Sequence, residues 1–347
     1  MKIFVITHSY SGNGASQMLL NAASHWTHKL GWQVDAVTVP GIRGEEQLGI
    51  KNSGMKLIDR AHFGEKYNCA LINCLKNIHF VNFIYPHVPI VLWAHEAETI
   101  LKSPVPREKW RGWFSKVSLV IFQTEWQMKL YKRYLPNGCK IAIIPNGIPP
   151  INPAISPTHV EDGVFRIVTV GKLTPMKAQS DLIRAVVQLS QSHKIQCELI
   201  GDTEHLSHLD RKAREVLEKH PALFTLSGYL PRDRTLEKVA AANLFCFPSI
   251  SESFGLAPLE AASLGVPVVL ADIPVYKSVG WVHRENCLMF PPGDRKKLAA
   301  AIESITGDNS LRKSIAEKGK ALSAQYGMDT FLPKISELIT DTNLKVV

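Results

Sequence analysis

Short apolar runs rich in β-branched residues alternate along the whole chain with longer stretches whose apolar positions recur at helical spacing. The runs KIFVI, PIVLWA, KIAII, FRIVTV, CELI, LFCF and PVVLA read as strands. MLLNAASHW, SDLIRAVVQLS and APLEAASL read as helices between them. Strand and helix in regular alternation predict parallel sheets wound on both faces, hence an α/β chain. The proline-rich stretch PPINPAISP, Pro149 to Pro157, interrupts the alternation and predicts two doubly wound domains, 1–150 and 151–325. With 347 residues, each has enough chain for its own core.

The segment SESFGLAPLEAASLGVPVV carries the first chemical signal. LFCF closes as a strand at Phe247-Pro248-Ser249, and a helix is predicted from about Ala257, with Pro258 in its first turn and Gly265 as its left-handed stop. Glu252 then lies in the preceding loop and Glu260 in the first helical turn. The free backbone N–H groups of Gly255, Leu256 and Ala257 are expected to point to the same place, where the helix dipole favours an anion. Carboxylates accept hydrogen bonds and cannot donate them, so this pair suits sugar and ribose hydroxyls beside a phosphate. An ordinary crossover helix with solvated acids fits the two glutamates equally well.

A second segment, VGKLTPMKAQSDLIRA, reads as strand, Gly171 turn and helix, with Lys172 and Lys177 flanking the turn. Two ammonium groups there could neutralise a diphosphate, although a lysine pair alone is usually a solvated face. Neither GxxxxGK[ST] nor GxGxxG is present, which argues against a P-loop and against a dinucleotide-binding dehydrogenase.

In order, VGKLTPMKAQSDLIRA, ELIGD, LSGYLPRDRTLEKVAAANLFCFPS, ESFGLAPLEAASLGVPVVLAD and ENCLMFPPGD resemble the nucleotide-sugar domain of retaining GT-B glycosyltransferases of the family 4 type, the glycosyl transferases group 1. The resemblance is close over about half the chain. MKIFVITHSYSGNGASQMLLNAASHW and VIFQTEWQMKLYKRY with KIAIIPNGIPP extend it more loosely to the first half. It implies two Rossmann-like domains facing across a cleft, with residues from about Tyr326 to Val347 packing back on the first. It implies that Glu260 holds the ribose, that Glu252 meets the donor sugar, and that Lys172 and Lys177 hold the diphosphate together with the amides of Phe254, Gly255 and Leu256. Gly14 is implied to close over the phosphates, and His95, at the end of PIVLWAHE, to face the reaction centre with Glu252 and Lys177. By position, Gly228, Tyr229 and Leu230 are implied to meet the base.

Three departures from the family pattern stand out. Asn13 replaces the first glycine of a Gly-Gly loop, Lys172 replaces a common arginine and loses its bidentate geometry, and PVYKSV lacks the family's glutamate. Glu96 and Glu98 have no implied role; Glu96 fits either acceptor orientation or a plain loop acid.

The implied activity is retaining transfer of a hexose from a nucleotide diphosphate sugar, in cell-surface glycan synthesis, to a lipid-linked or glycan acceptor. No Asp-x-Asp pair is present, and Asp202-Thr203-Glu204 is its nearest approach, so metal-independent chemistry without a cofactor is expected. A sugar-nucleotide epimerase of the same fold and a non-catalytic partner of an active transferase are the alternatives.

Charge adds a surface. Residues 1–150 hold 17 Lys and Arg against 9 Asp and Glu, so they carry +8 of the chain's net +9. The excess peaks in SPVPREKWRGWFSK, where Arg107, Lys109, Arg111 and Lys116 interleave with Trp110, Trp113 and Phe114. Such a pattern suits an anionic membrane surface. It equally suits a helix with core aromatics and solvated cations, whereas nucleic acid fits poorly beside a nucleotide-sugar domain. The start lacks the charged and apolar regions of a signal peptide, and no apolar run is long enough to span a bilayer, so a cytoplasmic protein, peripheral on the inner membrane face, is expected. The six cysteines, in apolar contexts, read as reduced core thiols.

Overall fold

The computed structural model describes residues 1–7, 14–37, 49–58, 67–97, 105–158 and 162–341. The chain divides into two compact units, and the helix Met328–Thr340 belongs to the first with residues Met1–Pro149.

The first unit is built on a seven-stranded sheet, all of whose pairings are parallel. Its strands are β1 (Lys2–Ile6), β2 (Gln33–Val37), β3 (Lys56–Ile58), β4 (Cys69–Asn73), β5 (Ile90–Trp93), β6 (Leu119–Phe122) and β7 (Ile141–Ile143), in the order β3-β2-β1-β4-β5-β6-β7. Every residue of β4, β5 and β6 is buried, which is why these strands read as unbroken apolar runs without alternation. The returning helix buries Met328, Phe331, Ile335 and Ile339, one stripe at helical spacing. Phe331 stacks on Trp93 at 5.6 Å, and Trp26 donates its indole N–H to Ser336 Oγ at 3.0 Å.

Pro150–Gly327 form the second unit, with a six-stranded parallel sheet. Its strands are β8 (Phe165–Val170), β9 (Ile195–Ile200), β10 (Phe224–Gly228), β11 (Leu244–Phe247), β12 (Val268–Ala271) and β13 (Leu288–Phe290), in the order β10-β9-β8-β11-β12-β13. The crossing back to the first unit falls at Gly327/Met328, slightly later than about Tyr326. Tyr326 stays with the second unit because its hydroxyl donates to the Val279 carbonyl at 2.8 Å and its ring meets Phe254 edge-on.

In both sheets the strand order reverses at the first strand, between β1 and β4 and between β8 and β11. Loops leaving the carboxyl ends of such strand pairs diverge and leave a crevice for a ligand. All six cysteines are free, and five of them are buried.

Candidate functional site

In the second unit the crevice is formed by the loops after β8 and β11. After β8 the chain enters a short 3-10 turn, Pro175–Lys177, capped by Thr174, whose Oγ accepts the Lys177 N–H at 3.3 Å. Ala178 takes a left-handed φ of 52°, which lets the helix Gln179–Leu189 start at once. After β11, the Ile250 N–H donates to the Met176 carbonyl at 2.8 Å, and the Ser249 hydroxyl lies 3.2 Å from that same oxygen. These bonds stitch the two loops together, and Lys177 Nζ forms an ion pair with Glu252 Oε1. The ammonium also sits over the Phe247 ring, 4.7 Å from its centre. Two residues 75 positions apart in sequence thus meet at the switch point.

The helix that follows spans Leu256–Ser263, so it begins before Ala257. Gly255, at a left-handed φ of 87°, turns the chain into the helix one residue early. A side chain at Gly255 would also strike the Tyr276 ring at 2.8 Å. Pro258 is consequently the third helical residue, and Glu260 lies in the second turn. The amides of Phe254, Gly255 and Leu256 have no acceptor among the described residues and stand at the positive end of the helix. The Phe254 side chain is buried, so this residue offers only its backbone.

Glu260 has a partner that the sequence does not announce. Arg232 Nε and a terminal guanidinium nitrogen both reach Glu260 Oε1, at 2.9 and 2.8 Å. Burial raises the Glu260 pKa, and the charge and hydrogen bonds of Arg232 oppose that rise. Arg232 opens the helix Arg232–Ala240 in a run, PRDR, that reads as a solvated turn, so only the fold reveals the pairing. Lys172 is exposed on the turn after β8, and Tyr229, at the end of β10, is 67% exposed. PVYKSV forms the helix Pro274–Ser278 and extends to Val279; Tyr276 within it is fully buried.

In the first unit, Gly14 opens the helix Gly14–His28, and Asn13 and Glu98 lie outside the described residues. His95 follows β5, is 8% exposed, and its Nδ1 lies 2.5 Å from Gln123 Nε2. Its ring packs 4.6 Å from Trp93. Glu96 turns inward: its carboxylate accepts the N–H groups of Leu75 at 2.7 Å, Lys76 at 3.1 Å and His95 at 3.1 Å. It therefore caps the 3-10 turn Leu75–Phe80 and fixes the strand end that carries His95, so it is neither a plain loop acid nor aimed at an acceptor. Burial pushes its pKa up against those three bonds. Glu96→Gln places an NH2 donor against backbone N–H groups and is expected to cost about 2 kcal/mol. Urea unfolding midpoints of the two proteins measure this, and equal midpoints would refute the capping role.

The basic aromatic segment forms the helix Arg107–Phe114, in which Trp110 and Phe114 are buried and Trp113 packs against the same core. The ring of Trp110 therefore does not meet a membrane, while Arg107, Lys109 and Arg111 are exposed. Lys116 Nζ bonds Asn82 Oδ1 at 2.6 Å, next to Phe83, whose ring is 68% exposed. Among the described residues no helix is long and apolar enough to cross a membrane, and no group of three or more His, Cys, Asp or Glu residues could hold a metal ion.

Residues 154–322 match the family model of glycosyl transferases group 1. A lipopolysaccharide core biosynthesis glycosyltransferase of Rhizobium meliloti, LpsE, is 32% identical over 186 residues, covering 52% of this chain and 49% of that protein. An exopolysaccharide phosphotransferase of Streptomyces coelicolor is 32% identical over 205 residues, 58% of this chain and 21% of that one. The matched stretches thus span from about a fifth to half of these relatives. The crystal structure of Anabaena HepE in complex with UDP and glucose superposes with a TM-score of 0.80 at 18% identity, covering 98% of this chain and 100% of that one. That agreement extends over both units and establishes the fold, two Rossmann-like domains of the GT-B class. Nearly all of the second unit, residues 154–322, is thus similar to glycosyl transferases group 1.

Proposed function

We propose that the chain transfers a hexose from a uridine diphosphate sugar to a glycan or lipid-linked acceptor, with retention and without a metal ion. The observation that carries this reading is the Lys177–Glu252 pair at the switch point, beside the open amides of Phe254, Gly255 and Leu256. A diphosphate placed on those amides draws Lys177 toward itself and releases Glu252 to accept hydroxyls of the sugar. Glu260 accepts a ribose hydroxyl. As the bond from the anomeric carbon to the diphosphate oxygen breaks, Lys177, Lys172 and the helix N-terminus offset the charge left on that oxygen, a preorganised electrostatic role. The acceptor oxygen forms the new glycosidic bond on the same face, and its proton passes to the departing phosphate. The relatives in lipopolysaccharide and exopolysaccharide synthesis support an acceptor in cell-surface glycan assembly.

A panel of UDP, GDP and ADP hexoses, followed by NMR for slow donor hydrolysis, tests the reading. Consumption of the UDP hexose with net retention supports it, and consumption of the GDP or ADP hexose alone would overturn the uridine assignment. Epimerisation of the donor, or no binding at all, would replace it with an epimerase or a non-catalytic partner.

The acceptor side fits a membrane through exposed cations and one exposed ring. Arg107, Lys109 and Arg111 supply the charge, and Phe83 supplies the apolar insertion. Phe83→Ser is expected to lower binding to vesicles of phosphatidylglycerol about tenfold, given the roughly 1.5–3 kcal/mol carried by a buried aromatic ring. Flotation titrations measure it, and unchanged binding would remove Phe83 from the membrane surface.

A further inference from the structure

Glu260 is a carboxylate that must be ionised, and correctly turned, to accept hydroxyls in a partly buried place. A single residue governs both properties. Arg232 applies two of its nitrogens to the same oxygen, Oε1, at 2.9 and 2.8 Å. A third nitrogen, Nη1, donates to the Pro150 carbonyl at 3.0 Å, where the second unit begins. The guanidinium is thus held at one end by backbone and at the other by the carboxylate. Pro231 precedes Arg232 as the N-cap residue, so Arg232 occupies the first position of its helix and its backbone is fixed as well.

We propose that Arg232 is a positioning residue of the nucleotide site: it pins Oε1 of Glu260 and leaves Oε2 as the acceptor presented to a ribose hydroxyl. This rests on the reading of Glu260 as the ribose-binding carboxylate. A pair of this kind adds little as a surface ion pair. Its value lies in orientation, because a carboxylate fixed at one oxygen has lost the rotation that would otherwise be frozen on binding. It also lies in charge. Burial favours the protonated form of Glu260, and Arg232 is the cation that opposes it. A protonated Glu260 would offer the ribose a weaker acceptor. Without Arg232 the Glu260 pKa rises further and the ionised fraction falls first on the acid side, so nucleotide binding fails at a higher pH than in the unaltered protein.

Two measurements on the full chain test this. Calorimetric titration with UDP, repeated from about pH 5 to pH 8.5, compares the unaltered protein with Arg232→Ala, Arg232→Lys and Glu260→Gln. Arg232→Ala is expected to weaken binding about tenfold near neutrality, the size of one lost charge-assisted bond, with the gap widening as pH falls. Arg232→Lys restores the charge without the fork, so it should recover the pH dependence but not the full affinity. Unchanged or tighter binding by Arg232→Ala, or a loss of the same size at every pH, would overturn the proposal. The second measurement needs no nucleotide: an NMR titration of the Glu260 carboxyl carbon, assigned by its absence in Glu260→Gln, should move to higher pH in Arg232→Ala, and an unmoved midpoint would also overturn it. If the unaltered protein binds no UDP while this midpoint moves, the ribose reading falls and the Arg232 brace on Glu260 stands.

Discussion

Lys177→Ala is expected to lower kcat for sugar transfer about a thousandfold, the upper range for removing one preorganised group that stabilises developing charge. The effect has two sources. On the proposed function, the variant loses a cation that offsets the charge of the departing diphosphate, and it leaves Glu252 without its ion-pair partner when a second anion arrives. An unpaired carboxylate beside a diphosphate repels it, so the donor KM should rise as well. Lys177→Arg retains charge, but its planar fork must fit a place shaped by the Phe247 ring and the Thr174 cap, and it should restore only part of the rate. Lys172→Ala should cost much less, because that side chain is exposed and water screens its charge. Steady-state kinetics at saturating acceptor would separate the two lysines. A fall of less than about tenfold for Lys177→Ala would remove it from the reaction centre.

The strands and the crevice were legible in the sequence for one physical reason. A parallel strand buried on both faces must be apolar throughout, so LFCF and IVLW announce themselves, and the loops that follow them are where ligand groups collect. Lys177 and Glu252 lie in such loops, and their meeting could be anticipated once each was placed after its strand. Arg232 could not be found in this way. Its charge is ordinary in a polar turn, and its partner Glu260 lies 28 positions away on another helix. Glu96 was obscured by the opposite effect: a carboxylate in a ligand-binding loop suggests chemistry, while two of its three backbone donors come from a turn about 20 residues earlier. The start of the helix at Leu256 depended on the left-handed turn at Gly255, and a glycine shows only that such a turn is permitted.

Trp110→Ala is expected to destabilise the first unit by about 3–5 kcal/mol, through lost burial and the cavity left behind. The indole is 3% exposed, meets Trp113 edge-on at 5.5 Å, and lies 6.2 Å from the rings of both Phe114 and Tyr134. Replacing Arg107, Lys109 and Arg111 together by glutamine should leave stability nearly unchanged, because exposed side chains seldom contribute more than about 0.5 kcal/mol each. The same triple change should weaken binding to anionic vesicles by about 1 kcal/mol per cation, or more than about a hundredfold in all. The two variants therefore separate core from membrane surface on one helix. Thermal unfolding and vesicle flotation of both proteins make the comparison. Loss of vesicle binding by Trp110→Ala without loss of stability would return the indole to the membrane, and full retention of binding by the triple variant would take the helix away from it.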